Sequence, residues 1–123
     1  MSFGNLNFPA VTVTTGLTQL CEYDASDVMS IGIAVENTGV AFNAFELSVK
    51  AHQDDAAWTV IASAAGDFST PVYPLRRTVG TPVTLASGAK GTLLLDTQHL
   101  ARVRLRASVA ATTTSAVVRI GGK

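Results

Sequence analysis

The sequence predicts an all-β protein, an antiparallel β-sandwich of about eight strands, jelly-roll or immunoglobulin-like, with an extended N-terminal arm. Three observations predict it. Apolar residues recur at every second position through most of the 123-residue chain, which is the period of a strand with one face on a core. Gly, Asn, Asp and Ser interrupt that alternation roughly every ten residues, the spacing of short strands in sandwiches and barrels. No segment holds helical spacing over the length of an ordinary helix, so helix should occupy under about a tenth of the chain against a base rate of about a third.

Residues 1–9, "MSFGNLNFP", carry Phe3, Leu6 and Phe8 without an alternation of their own and read as the arm, which docks either on its own sandwich or on a neighbour. Residues 10–123 read as one domain. "AVTVTT" alternates Val11 and Val13 with threonine, Gly16 breaks it, and "LTQLCEY" follows. "VMSIGIAVEN", residues 28–37, sets Met29, Ile31, Ile33 and Val35 against a small face of Ser30, Gly32, Ala34 and Glu36 that another backbone could approach closely. After the "NTG" turn, "NAFELSVKAH" points Phe45, Leu47, Val49 and Ala51 inward and Glu46, Ser48, Lys50 and His52 outward. "AWTVIA" then carries Trp58 and Val60 toward the core. The expected core includes Ile31, Ile33, Val35, Phe45, Leu47, Val49, Trp58, Val103 and Leu105. Hairpin-like pairing is expected for 28–37 with 43–52 and for 101–109 with 114–120.

Between Ser63 and Val83 the period disappears, through "SAAGDFSTPVYPLRRTVGTP". A stretch of that length without period is unusual in a compact domain, where long loops are often functional. Pro71 and Pro74 restrict its backbone, and Tyr73, Arg76 and Arg77 are residue types enriched at binding hot spots. Residues 66–80 are therefore expected to contact a neighbouring subunit or a larger shell. "VTLASGAKGTLLLD" resumes as two short strands around a Ser-Gly turn, "TQHLA" allows one helical turn, and "SAVVRIGG" closes the sheet.

Composition narrows the function classes. Hydrophobic residues make up 47% and charged residues 15% of the chain, against a typical charged share of about 25%. Such a surface suits packing against other protein. Nine basic residues balance nine acidic ones, so no global field draws the protein to nucleic acid or an anionic membrane. Cys21 is the only cysteine, which rules out an intramolecular disulfide and reads as a small buried hydrophobe. The N-terminus lacks the basic and apolar regions of a signal peptide, and no run approaches a membrane span, so a soluble chain is expected despite a positive mean hydropathy.

Chemistry-bearing constellations are sparse. His52 and His99 lie far apart and outside any metal-binding spacing. "GTPVTLASGAKGT" lacks P-loop spacing and precedes a strand rather than a helix. No serine stands in a G-x-S-x-G context. The adjacent carboxylates Asp54 and Asp55 are explained by a solvated turn. No catalytic residue, cofactor or metal is assigned, and the chain reads as a non-enzyme.

The most distinctive pattern is "ARVRLRASVA", residues 101–110, which puts Arg102, Arg104 and Arg106 on one face of a strand. Three readings stand. The row can be a solvated face neutralised across strands by Glu36 and Glu46, a protein interface exploiting the arginine fork, or a track for phosphates. The last lacks the interleaved aromatic residues of single-strand binders.

"MSIGIAVENTGVAFNAFELSVKAH", a tryptophan strand, "GTPVTLASGAKGTLLLDTQHLARVRLRASVA" and "AVVRIGG" together resemble small β-sandwich structural proteins of tailed bacteriophages, over most of residues 28–122. The resemblance implies a virion component assembled in the host cytoplasm. It points to a capsid decoration or cement protein in a symmetric oligomer, a trimer by preference, contacting the major capsid protein or other virion proteins. A tail or head-fibre role belongs to the same implication. The competing class is a carbohydrate-binding or adhesive sandwich using Trp58, Tyr23 or Tyr73 as sugar platforms. Candidate interface residues are Phe3, Phe8, Tyr73, Arg76, Arg77, Arg102, Arg104 and Arg106.

Overall fold

Alternating strands that each leave one apolar face must cover it with another sheet, and the computed structural model, which describes residues 5–63, 68, 71–80 and 88–123, shows how. Its strands are β1 (Asn5–Asn7), β2 (Val11–Val13), β3 (Thr18–Asp24), β4 (Ser30–Asn37), β5 (Ala44–Lys50), β6 (Thr59–Ala62), β7 (Leu75–Val79), β8 (Lys90–Asp96), β9 (Arg102–Ser108) and β10 (Thr114–Gly122). All pair antiparallel. One sheet of six strands runs β1-β10-β4-β8-β7 with β2 also on β10, and the other, of four, runs β3-β9-β5-β6. The all-β sandwich predicted from alternation is the observed fold.

The pairings resolve its topology. β2·β10, β3·β9, β4·β8 and β5·β6 are the successive rungs of one antiparallel ribbon, and the rungs alternate between the two sheets. A ribbon wrapped in this way is a jelly roll. β1 prolongs β2 along the same edge of β10, interrupted at Phe8–Ala10, where Pro9 removes a donor that an edge strand can spare. β7 adds one further strand beside β8.

Both expected hairpins are therefore corrected. β4 pairs with β8 and β10, while β5 lies in the opposite sheet; β9 and β10 are likewise in different sheets. The "NTG" turn is a crossing between layers. Asn37 is fully buried there and its side chain is used up locally: Nδ2 donates to the Val40 carbonyl at 2.6 Å, and Oδ1 accepts from Thr114 Oγ1 at 2.6 Å and Gly39 N at 3.1 Å. This buried polar knot ties the crossing to β10, where a two-residue hairpin would have continued the same sheet.

The core forms where the inner faces meet. Phe45, Ile33, Leu47, Leu93, Leu95, Leu105 and Ile120 are its largest fully enclosed side chains, each contributing about 1.5–3 kcal/mol by leaving water. Phe45 stacks on Phe42 at 5.9 Å and meets Phe68 edge-on at 5.5 Å. The expected core residues Ile31, Ile33, Val35, Phe45, Leu47, Val49, Val103 and Leu105 are all buried.

Trp58 and Val60 are not in the core. Ile61 is an extra residue in β6, since Leu47 faces Ala62 while Ser48 faces Val60. One bulged residue reverses the face of everything beyond it, so Val60 stands 46% exposed and Trp58 lies on the outer side. Met29, expected in phase with Ile31, precedes the strand and is 66% exposed, and Ala51 is exposed just past the end of β5.

The long aperiodic segment is corrected in part. Residues 75–79 of it form β7, whose period is broken by a second bulge at Arg76, because Leu75 faces Leu95 and Arg77 faces Leu94. The first of the two strands expected around the Ser-Gly turn falls on residues outside those described. Gly88, at that turn, has a positive φ of 75°, the left-handed conformation glycine adopts without penalty.

Candidate functional site

Position parity on β9 places Arg102, Arg104 and Arg106 on the outer face of the four-stranded sheet, while Val103, Leu105 and Ala107 enter the core. β3 and β5 flank β9, and their registers bring Asp24, Glu22 and Gln19 alongside on one side and Lys50, Ser48 and Glu46 on the other. Arg102 donates through Nε to Glu22 at 2.5 Å, with Asp24 3.9 Å from its Nη1. Arg106 donates through Nε and Nη2 to Glu46, which is only 8% exposed. Glu46 was expected as a partner of the row. Glu36 was too, but it lies in the other sheet, 3.8 Å from Lys90, and Glu22 takes its place.

Arg104, between them, has no ion pair among the described residues. Its guanidinium lies 4.5 Å from the Trp58 ring centre, and the Lys50 ammonium lies 4.9 Å from the same ring. Cations over an aromatic face are attracted by its quadrupole. Burial, reinforced by the charge of Arg106, lowers the Arg104 pKa from its ordinary value. Arg104 Nε and the hydroxyl of Ser48, opposite it on β5, are both sealed from solvent and have no hydrogen-bond partner among the described residues. The row is thus neutralised at its two ends and bare at its middle. Ser48 did not stand out as a site residue in the sequence, and Trp58 did so only as a sugar platform, not as a neighbour of the arginine row. Ser48 and Lys50 share the phase of Glu46 and were legible as neighbours, whereas Trp58 arrives through a bulge that no spacing announces.

The outer face of the six-stranded sheet is different in kind. Gly32 and Ala34 of β4 lie between Gly121 and Arg119 of β10 and Leu94 and Thr92 of β8. Their small side chains leave two shallow grooves of about 430 and 360 Å³ that share Gly32 and Gly121. Leu94 at 39% and Val79 at 52% exposure rise beside them. Arg76 closes one end by pairing with Asp96 at 2.6 Å, and its guanidinium is 5.8 Å from the Tyr73 ring. Tyr73 is 51% and Val72 67% exposed, and Arg77 is exposed in register with Leu94. Tyr73, Arg76 and Arg77 therefore gather at one edge of this sheet, far from the arginine row in topology.

In the arm, Phe8 is half-buried against the protein's own core and donates its backbone N–H to Val118 O at 3.0 Å, while β1 pairs with the end of β10. The described part of the arm docks on its own sandwich. Phe3 lies outside the described residues. Cys21 is buried, and burial pushes its thiol up to about 12. His52 bonds within its own turn, accepting from Asp54 N through Nδ1 at 3.1 Å. Among the described residues no three His, Cys, Asp or Glu side chains gather as a metal set, and no helix is long and apolar enough to cross a membrane. Comparison of the chain with protein-family models, with curated proteins and with solved structures finds no match.

Proposed function

We propose that this protein is a non-enzymatic structural component that works through protein–protein contacts, and specifically a capsid decoration protein of a tailed bacteriophage. The observation that carries the contact reading is the outer face of the six-stranded sheet, where Gly32, Ala34, Leu94 and Val79, with Thr92 between Ala34 and Val79, form an open tract of small and apolar side chains. Small residues let a partner's backbone come close, and the exposed Leu94 and Val79 offer side chains to bury. Tyr73, Arg76 and Arg77 at the same edge supply amphipathic anchors. The phage setting rests on the sequence resemblance.

The test is co-sedimentation of the purified protein with empty shells of the phage that encodes it. Saturable binding at a fixed ratio is expected, lost in Leu94→Glu and Val79→Glu with unfolding midpoints unchanged. Absence of binding, or binding indifferent to both substitutions, overturns the reading.

A second reading, an adhesive or carbohydrate-binding sandwich, draws on one observation: Trp58 is at the surface rather than in the core. Glycan-array binding abolished by Trp58→Ala or Tyr73→Ala would favour it over decoration.

A further inference from the structure

We propose that the centre of the outer face of the four-stranded sheet is a carboxylate-binding site made by Arg104, Lys50 and Trp58 over Ser48, and that its ligand is an aspartate, glutamate or terminal carboxylate of a protein partner. The argument starts from the pattern of the face itself. Each outer arginine holds a glutamate through its Nε, Arg102 with Glu22 and Arg106 with Glu46. Arg104 has the same side chain on the same strand face, and its Nε has no partner among the described residues. The register explains the vacancy: the residue opposite Arg104 on β5 is Ser48, where Arg106 meets Glu46, and the Glu22 opposite it on β3 turns to Arg102.

Two cations, Arg104 and Lys50, thus share one aromatic ring, and neither forms an ion pair among the described residues; Glu22 and Glu46 act on Arg104 only from their places beside its neighbours. Within the register of β3, β9 and β5 the four cations Arg102, Arg104, Arg106 and Lys50 meet the three carboxylates Glu22, Asp24 and Glu46, an excess of one positive charge along these strands. One planar monoanion fits that excess and the arginine fork. A doubly charged phosphate or a polyanion would meet Glu22 and Glu46 on either side. The Ser48 hydroxyl, fully buried and without a partner among the described residues, supplies a neutral donor opposite Arg104. The Trp58 ring, one residue before the edge strand β6, lies over the Arg104 guanidinium, and Nε is sealed from solvent, so a carboxylate reaching Nε must displace what covers it. A protein chain also gains Val60 and the ring as apolar contacts, which a free small acid gains only in part. The source of the carboxylate rests on the protein-contact reading above; the carboxylate chemistry does not.

Trp58 is the only tryptophan, so its emission reports this site alone. The intact protein is titrated at constant ionic strength, replacing chloride by acetate. Parallel titrations use an acetylated, amidated peptide with one central glutamate, the same peptide with glutamine, galacturonate, and inorganic phosphate. Acetate should shift the emission with a midpoint of about millimolar order, and the glutamate peptide at least about tenfold lower, with no response to the glutamine peptide. Arg104→Met should abolish the response, and Arg104→Lys should retain little of it because an ammonium lacks the fork. Lys50→Met should weaken binding several-fold without moving the unfolding midpoint, which keeps the test open if Arg104→Met does not fold. Acetate indistinguishable from chloride, or an undiminished response in Lys50→Met, overturns the site. Phosphate or galacturonate binding more tightly than the glutamate peptide overturns its assignment to a protein carboxylate. Loss of shell binding with an intact peptide response removes the decoration reading alone.

Discussion

Replacing Glu46 by alanine should destabilise the protein far more than replacing Glu22, although both glutamates pair with an arginine of the same row. The Glu46 side chain is 11% exposed and that of Arg106 29%. Deleting the carboxylate leaves a half-buried guanidinium next to Arg104, about 7 Å along the strand. Stranding a fully buried charge costs about 3–5 kcal/mol and losing an exposed pair about 0–1 kcal/mol. This site lies nearer the first, at about 2–3 kcal/mol. Glu22 and Arg102 are 32% and 28% exposed, and Asp24 remains 3.9 Å from Arg102, so Glu22→Ala should cost about 0.5 kcal/mol. The assay is urea unfolding at pH 7 of Glu46→Ala, Arg106→Ala and the double variant, with the equivalent cycle for Glu22 and Arg102. A coupling of about 1.5–2.5 kcal/mol is expected for the first cycle and below about 0.7 kcal/mol for the second. At about 1 M salt only the second should shrink. Equal couplings, or a Glu46–Arg106 coupling under about 0.5 kcal/mol, would refute the idea that burial sets the strength of this face.

Leu47→Ala, at a position with no exposure, should cost about 3–4 kcal/mol, while Val60→Ala, 46% exposed, should stay within about 0.5 kcal/mol; reversed values in urea unfolding would deny the β6 bulge. Gly80→Ala should lose about 2–3 kcal/mol of unfolding free energy, because φ is +89° and a Cβ would sit 2.8 Å from the Lys90 carbonyl oxygen; a neutral result contradicts that turn. The Cys21 thiol is raised to about 12, so the native state keeps a proton that the unfolded chain releases above about pH 9. Stability from this group is complete below that pH and falls by about 1.4 kcal/mol per pH unit as pH rises toward 12; the fall should flatten in Cys21→Ala, and a thiol reagent should label native protein no faster than it unfolds. Finally, DNA titrated against the protein at physiological salt should show no specific binding, since Arg102 and Arg106 are already neutralised and few counterions remain to release; tight, salt-sensitive binding lost in the triple alanine variant would reverse this.

What alternation alone could reveal, it revealed. Ile31, Ile33 and Val35, or Phe45, Leu47 and Val49, announce their inner face because a strand has no other way to bury every second residue. Glu46 was legible as a partner of the arginines because opposite charges on outward faces seek one another across strands. What failed was whatever depends on where a strand stops, as at Met29 and Ala51, on one inserted residue or on long-range pairing. Ile61 and Arg76 are each a single extra residue, and the faces of Trp58 and Val60 and the existence of β7 turn on them. Glu22 and Arg102 are eighty residues apart, and local pattern contains no record of that meeting. Sequential strands looked like hairpins because their turns are well formed, but Asn37 anchors its turn to Thr114 and sends the chain to the other layer. The small face of Gly32 and Ala34 could be read directly, as side-chain size is independent of partner choice.

The place of β10 also governs how the molecule can be made. It follows all of its sheet neighbours in sequence, yet it stands inside the six-stranded sheet, with β1 and β2 on one side and β4 on the other. A ribosome releasing the chain from its N-terminus delivers every neighbour of this strand long before the strand itself. The ribbon's inner rungs can pair during synthesis, but the sheet stays split until residues 114–122 emerge. Pairings of such sequence separation form slowly, and the exposed strand edges that wait for them are sticky. A chain stopped short of Thr114 would keep its arm and most of its core residues and still lack the strand that joins them.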